Sequence, residues 1–115
     1  MSRIEKNNDK FMVAFGADSA TGSFVQVWHQ PAEAQDGAFI RIDNQGVELD
    51  DEQPVPVADI IGESAWKYLM GIKARYELAA RGGNVAPNID YETASVFLVK
   101  LGFTGLSREI HAAFA

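Results

Sequence analysis

Hydrophobic and polar positions follow two different periods along this chain. From Phe11 to Asp43 they alternate at period two, the mark of strands with one buried face. Phe11, Val13 and Phe15 share one side of the first run, Phe11-Met-Val-Ala-Phe15. Gly16-Ala-Asp-Ser-Ala-Thr-Gly22 is rich in turn residues. Ser23-Phe-Val-Gln-Val-Trp-His-Gln30 reads as a second strand, being dense in β-branched and aromatic side chains. A short glycine-bearing loop between two such runs predicts an antiparallel hairpin. Pro31 ends the second strand, and Ala38-Phe-Ile-Arg-Ile-Asp43 is a third. Strict alternation there puts Ala38, Ile40 and Ile42 on one side, and Phe39, Arg41 and Asp43 on the other. Asn44-Gln-Gly46 turns the chain into a short fourth strand at Val47-Glu-Leu49. Residues 1–9 are polar, and the pattern leaves them as a frayed terminus.

The period changes after Asp50-Asp-Glu-Gln-Pro-Val-Pro56, a crossing loop too short to link two domains. Ala65, Leu69, Ile72, Tyr76 and Ala79 recur at the three-four spacing of a helical face, over a helix from Asp59 or Glu63 to Arg81. Gly62 suits a break between a short turn at 57–61 and that helix, and Gly82-Gly83 stop it. Asn88 or Asp90 caps the next helix. Its segment Ser95-Val-Phe-Leu-Val-Lys-Leu101 is apolar nearly all round, a pattern that strand and helix share. The cap, the spacing of Ala94, Leu98 and Leu101, and the glycine at 102 favour helix. Leu106, Ile110 and Phe114 form the stripe of a last short helix.

These elements predict an α+β fold over one domain, 1–115. An N-terminal antiparallel meander of three to four strands (10–49) is followed by two to three helices (57–115) packed on one face. The expected core is Val13, Phe15, Val25, Val27, Ile40, Ile42, Leu69, Ile72, Tyr76, Phe97, Leu98, Leu101 and Ile110.

Charge adds an asymmetry. Between Phe11 and Gln53 eight acids (Asp18, Glu33, Asp36, Asp43, Glu48, Asp50, Asp51, Glu52) face the single base Arg41, a net −7 within a chain of net −6. The negative charge therefore belongs to the β half. Such a field attracts basic partners and repels nucleic-acid phosphates, whose binding needs clustered Lys and Arg. The chain has no cysteine, which excludes a disulfide framework and a thiolate metal site and fits a reducing compartment. No apolar run reaches the length of a membrane span, and none resembles a signal peptide. A cytoplasmic location follows as the expectation, with no membrane partner.

Catalytic patterns are missing. From Asp43 to Glu52 the acids suggest a calcium loop, but glycine falls at the fourth position and Pro54 stands at the twelfth. His29 and His111 lie in no metal-binding spacing, and no phosphate-binding glycine motif or nucleophile elbow occurs. The reading leans away from an enzyme and expects no cofactor and no metal. It expects a small protein–protein interaction module, possible as a homodimer, that presents an acidic, aromatic sheet face to a basic protein surface. The candidate surface is Phe24, Trp28, His29, Phe39, Asp50, Asp51 and Glu52. A second apolar stripe on the main helix (Met70, Ala74 and Leu78) fits packing on the following helix or on another copy of the chain. Two alternatives stand beside this. One is an acidic nucleic-acid mimic, such as a phage or mobile-element inhibitor. The other is a small-molecule binder or enzyme with a pocket between sheet and helices lined by Trp28, His29 and Tyr76.

Overall fold

A computed structural model describes residues 2–31, 37–50, 52–83 and 88–115. Five strands form one antiparallel sheet in sequence order: β1 (Ser2–Asn7), β2 (Phe11–Asp18), β3 (Gly22–His29), β4 (Ile40–Asp43) and β5 (Gly46–Leu49). Four helices follow: α1 (Val57–Ile61), α2 (Glu63–Arg81), α3 (Tyr91–Lys100) and α4 (Ser107–Phe114). The α+β class and the meander match the sequence reading, with one strand more than the three or four expected and, because 57–61 is a short helix and not a turn, one helix more than the two or three expected.

The extra strand is β1, where the sequence pattern predicts fraying. Three anchors hold it. Ile4 packs on the main core, Lys6 forms an ion pair of 2.9 Å with Glu109 of α4, and the Ser2 hydroxyl donates to the Ala113 carbonyl. Asn8 closes the β1–β2 turn. Its side-chain oxygen accepts the backbone N–H groups of Lys10 and Phe11, and its amide donates to the Leu101 carbonyl at 2.9 Å. A strand with one large apolar side chain is stable here because β2 and α4 were already placed beside it.

Two apolar rows cross the sheet and set its register. Ile4, Phe15, Val25, Ile42 and Val47 form one, and Val13, Val27, Ile40 and Leu49 form the other. Both rows face the helices. From α2 the face Ala65, Leu69, Ile72 and Tyr76 is buried against them, with Phe97 and Leu98 from α3 and Ile110 from α4. α2 lies against β5, and α4 against β1 and β2. Every residue of the expected core is buried. Of the second stripe on α2, Met70 packs on the core while Ala74 is exposed and Leu78 is 70% exposed.

The run leading into β4 departs from strict alternation. Ile40 stands opposite Val27, yet the Phe39 N–H also bonds the Val27 carbonyl at 2.9 Å. Two residues therefore oppose one, which is a β-bulge. Its effect is to turn Phe39 as well as Ile40 into the main core, and to leave Ala38 with the opposite face.

Gly62, at φ 88°, separates α1 from α2 as the glycine position implied. Segment 95–101 is helical through Lys100. The Asp90 side chain accepts the Thr93 N–H at 2.7 Å, a cap contributing about 1 kcal/mol. That bond, with further help from the Thr93 side chain, holds the Asp90 carboxyl below its ordinary value. A lowered pKa means that the unfolded chain takes up the proton first. The stabilisation is thus complete above the ordinary value of 3.8 and is lost as pH falls through the folded value. Asp90→Ala should lower unfolding free energy by about 1 kcal/mol at neutral pH, while Asp90→Asn, which caps equally well, should stay near wild type. In urea titrations at pH 3, Asp90→Asn should have lost less of its neutral-pH stability than wild type; equal losses would contradict the assignment.

Candidate interaction surface

With the helices on one face, the sheet offers partners its outer face and its two edge strands. The outer face carries Arg3, Glu5 and Asn7 from β1, then Met12, Ala14 and Gly16 from β2. Phe24, Gln26 and Trp28 of β3 stand beside these, followed by Arg41 of β4 and Glu48 of β5.

The aromatic residues of this face are not bare. Phe24 is 6% exposed and Trp28 is 4% exposed. Arg3 covers both. Gly16 stands directly opposite Arg3, and the next outward residue of β2 is Ala14, so no bulky side chain separates β1 from β3. A Cβ on Gly16 would lie 2.0 Å from the Ser2 carbonyl oxygen, so glycine also allows β1 its close approach. The Arg3 guanidinium crosses β2 and sits 5.9 Å from the centre of the Phe24 ring and 5.7 Å from that of Trp28. The Arg3 Nη1 donates to the Gln26 side-chain oxygen at 2.8 Å, and Glu5 lies 4.0 Å from Nη2. Met12, Ala14 and Trp28 pack together with Ala38 as a second apolar cluster.

The seven candidate residues therefore divide. Phe24 and Trp28 belong to the outer face, beneath Arg3. His29 belongs to the other side, exposed at the sheet's end, with its ring 6.1 Å from Phe11 and 6.2 Å from Phe39. The bulge has moved Phe39 into the main core, where it is 2% exposed. Asp50 and Glu52 lie on the crossing loop, and Asp51 lies outside the described residues. The aromatic face expected from alternation is thus split between two sides of the sheet. Trp28 and Tyr76 are likewise on opposite sides, so the pocket lined by Trp28, His29 and Tyr76 does not form.

Much of the acidic run has local work. Asp18 accepts the N–H groups of Ala20 and Thr21 at 2.8 and 2.7 Å, Asp43 that of Gln45 at 2.8 Å, and Asp50 that of Glu52 at 2.9 Å. Each carboxylate folds back on its own turn. The Thr21 N–H holds the Asp18 carboxyl below its ordinary value, and the Glu52 N–H does the same for Asp50. Glu48 pairs with Arg41 at 3.2 Å. Glu33 and Asp36 lie outside the described residues.

Two grooves flank β5. A groove of about 410 Å³ lies on its outer-face side, lined by Ala38, Arg41, Glu48, Asp50 and Glu52. A second, of about 430 Å³, lies on its helix side, lined by Leu49, Val55, Val57, Trp66 and the prolines at 54 and 56. Leu49 and Asp50 belong to both. The sequence marked the crossing loop but not Trp66 or Val55, whose nearness to β5 depends on where α2 docks.

A further groove holds the second histidine. His111 stacks edge-on to Tyr91 at 4.6 Å in a groove shared with Ser23 and Asp90. Asp90 is committed to its helix cap, and no hydrogen bond joins Ser23 to His111. Among the described residues no group of three or more His, Cys, Asp or Glu is placed to hold a metal ion. Among them also, no helix is long and apolar enough to cross a membrane. No family model, curated protein or solved structure matches this chain.

Arg3→Ala should uncover the Phe24–Trp28 surface. In a Trp66→Phe background, where Trp28 is the only tryptophan, its emission should shift to longer wavelength and its acrylamide quenching should rise. The stability cost should be about 0.5–1 kcal/mol, that of an exposed cation–π contact. Unchanged emission and quenching would show that Arg3 does not shield the ring.

Proposed function

We propose that this protein is a non-enzymatic interaction module that receives a basic protein partner on the acidic side of β5. The observation that carries the reading is the groove where Glu48, Asp50 and Glu52 converge beside an open edge of the sheet. Arg41 neutralises part of this charge through its pair with Glu48, and the surplus is negative. Exposed charges of one sign raise the association rate with an oppositely charged surface and lose that effect as salt screens them. The absence of cysteine suits a cytoplasmic setting. Carboxylates that cap turns or pair with Lys and Arg leave little for a phosphate-like row, so the nucleic-acid-mimic reading gains no support from their placement.

A second reading, homodimerisation, is favoured by β1. The Asn8 N–H bonds the Phe11 carbonyl at 2.9 Å and closes the hairpin. Alternation from there turns Ser2, Ile4 and Lys6 toward β2, and the backbone groups of Arg3, Glu5 and Asn7 toward the open edge. A two-fold pairing of this edge with itself can set Arg3 opposite Glu5 of the second copy twice over, with Ile4 facing Ile4 between them. Opposite charges in such positions contribute roughly 0.2–1 kcal/mol per pair.

Glu48→Lys with Glu52→Lys should abolish retention of basic proteins by the immobilised chain at low salt. This pair spares Asp50, which holds its turn. The wild-type complexes should dissociate as salt rises, and an identical set retained by both proteins would refute the acidic reading. For the second reading, light scattering should give a dimer mass that Glu5→Arg returns to the monomer. A monomer at every concentration would exclude it.

A further inference from the structure

We propose that the partner binds by adding a strand to β5, and that the bound segment is extended and alternates apolar with basic side chains. The proposal rests on the interaction-module reading and specifies its geometry.

β5 has one paired side and one open side. The Asp50 N–H bonds the Phe39 carbonyl at 3.0 Å, and Asp43 pairs with Gly46 across a two-residue turn. Between these, hydrogen-bonded pairs alternate, so Gly46, Glu48 and Asp50 turn their backbone groups toward β4. Val47 and Leu49 turn their N–H and C=O outward, where no sixth strand follows among the described residues. An open row of backbone donors and acceptors is the template for strand addition.

The two grooves give that template side-chain specificity. Val47 and Leu49 belong to the apolar rows of the helix face. Partner residues opposite them would project to the same face, into the groove walled by Val55, Val57 and Trp66. Val55 is 45% exposed there, an apolar wall without a cover among the described residues. A partner residue opposite Glu48 would project to the outer face, among Glu48, Asp50 and Glu52. Apolar–basic–apolar is therefore the pattern that fits, because both grooves are satisfied by one strand with period two.

A second copy of this chain fits poorly at β5. Two-fold pairing in a hydrogen-bonding register that joins Val47 to Leu49 places Glu48 opposite Glu48, and a shift of one pair toward the crossing loop places Glu48 opposite Asp50. Like charges directly opposite destabilise such a pairing. A shift toward the turn avoids like charges but overlaps only residues 46–48 of the strand. The occupant is accordingly a different chain with positive charge.

The test uses a nine-residue synthetic peptide alternating valine and lysine, titrated into the full chain and followed by backbone amide spectra and hydrogen exchange. A control peptide alternates valine and glutamate. Binding should slow exchange of the Val47 and Leu49 amides at least tenfold, and the glutamate peptide should not bind. Val47→Pro removes an outward N–H that β4 does not use, a substitution that an edge strand tolerates. It should weaken the valine–lysine peptide at least tenfold, with the amide spectrum of the other strands preserved. Val55→Ser, an exposed change that leaves the backbone intact, should also weaken it. Binding that protects neither amide and ignores both substitutions would overturn strand addition while leaving the acidic docking reading in place. Failure of both the valine–lysine peptide and a plain lysine peptide to bind at low salt would overturn both. Equal binding of the two alternating peptides would overturn the charge pattern. Protection of Val47 and Leu49 in the free protein that grows with its concentration would assign the edge to a second copy instead.

Discussion

Two apolar rows, one through Phe15, Val25 and Ile42 and one through Val13, Val27 and Ile40, hold the strands in register against the helices. Slipping any of these strands by one residue would turn its row to the outer face, and in β3 and β4 it would bring Gln26 and Arg41 under the helices. That penalty is why a meander with short turns can be specific. It also explains how β1 is recruited: once β2 presents a fixed register, a single Ile4 suffices to choose the pairing, and α4 secures it through Lys6 and Ser2.

The same register leaves a second surface with a different character. Small residues on β2, Ala14 and Gly16, open a path by which Arg3 reaches the aromatic rings of β3. An arginine is suited to this because its planar cation stacks on rings while its N–H groups stay hydrogen-bonded, here to Gln26. Aromatic residues that alternation marks as a partner's footing are in fact held within the chain. The acids follow a similar course. Asp18, Asp43 and Asp50 bind backbone N–H groups of their own turns, so their charge is first a device for folding the β half. What the field can steer is a narrower rim at β5, and the interaction reading moves there from the aromatic face.

Placing recognition at β5 accounts for features that otherwise stand apart. The strand is short, its open side is flanked by one apolar and one acidic groove, and its own charges oppose pairing with a copy of itself. The other edge, β1, alternates Arg3 and Glu5 and is compatible with itself. One sheet thus carries two edges that differ in self-complementarity, which would keep the proposed self-association and the proposed partner binding apart in space.

Period two and period three-four were enough to place β2 to β5, the three longer helices, the break at Gly62 and every member of the expected core. These features depend on neighbours close in sequence and on burial of whole rows, so the pattern of side chains contains them. β1 was not legible, because its stability comes from pairing and from contacts with Glu109 and Ala113 far along the chain. The side taken by Phe39 was not legible either, since a bulge opposite Val27 breaks the alternation on which the inference relied. Of the candidate surface, the sequence identified the acidic crossing loop but could not say that Trp66 and Val55 would stand on the other side of the same strand. Sequence by itself determined the fold class, the core and the sign of the charge. Only the tertiary structure decided which surface stays open, because exposure depends on what distant residues cover, and a one-dimensional pattern does not record distance in space.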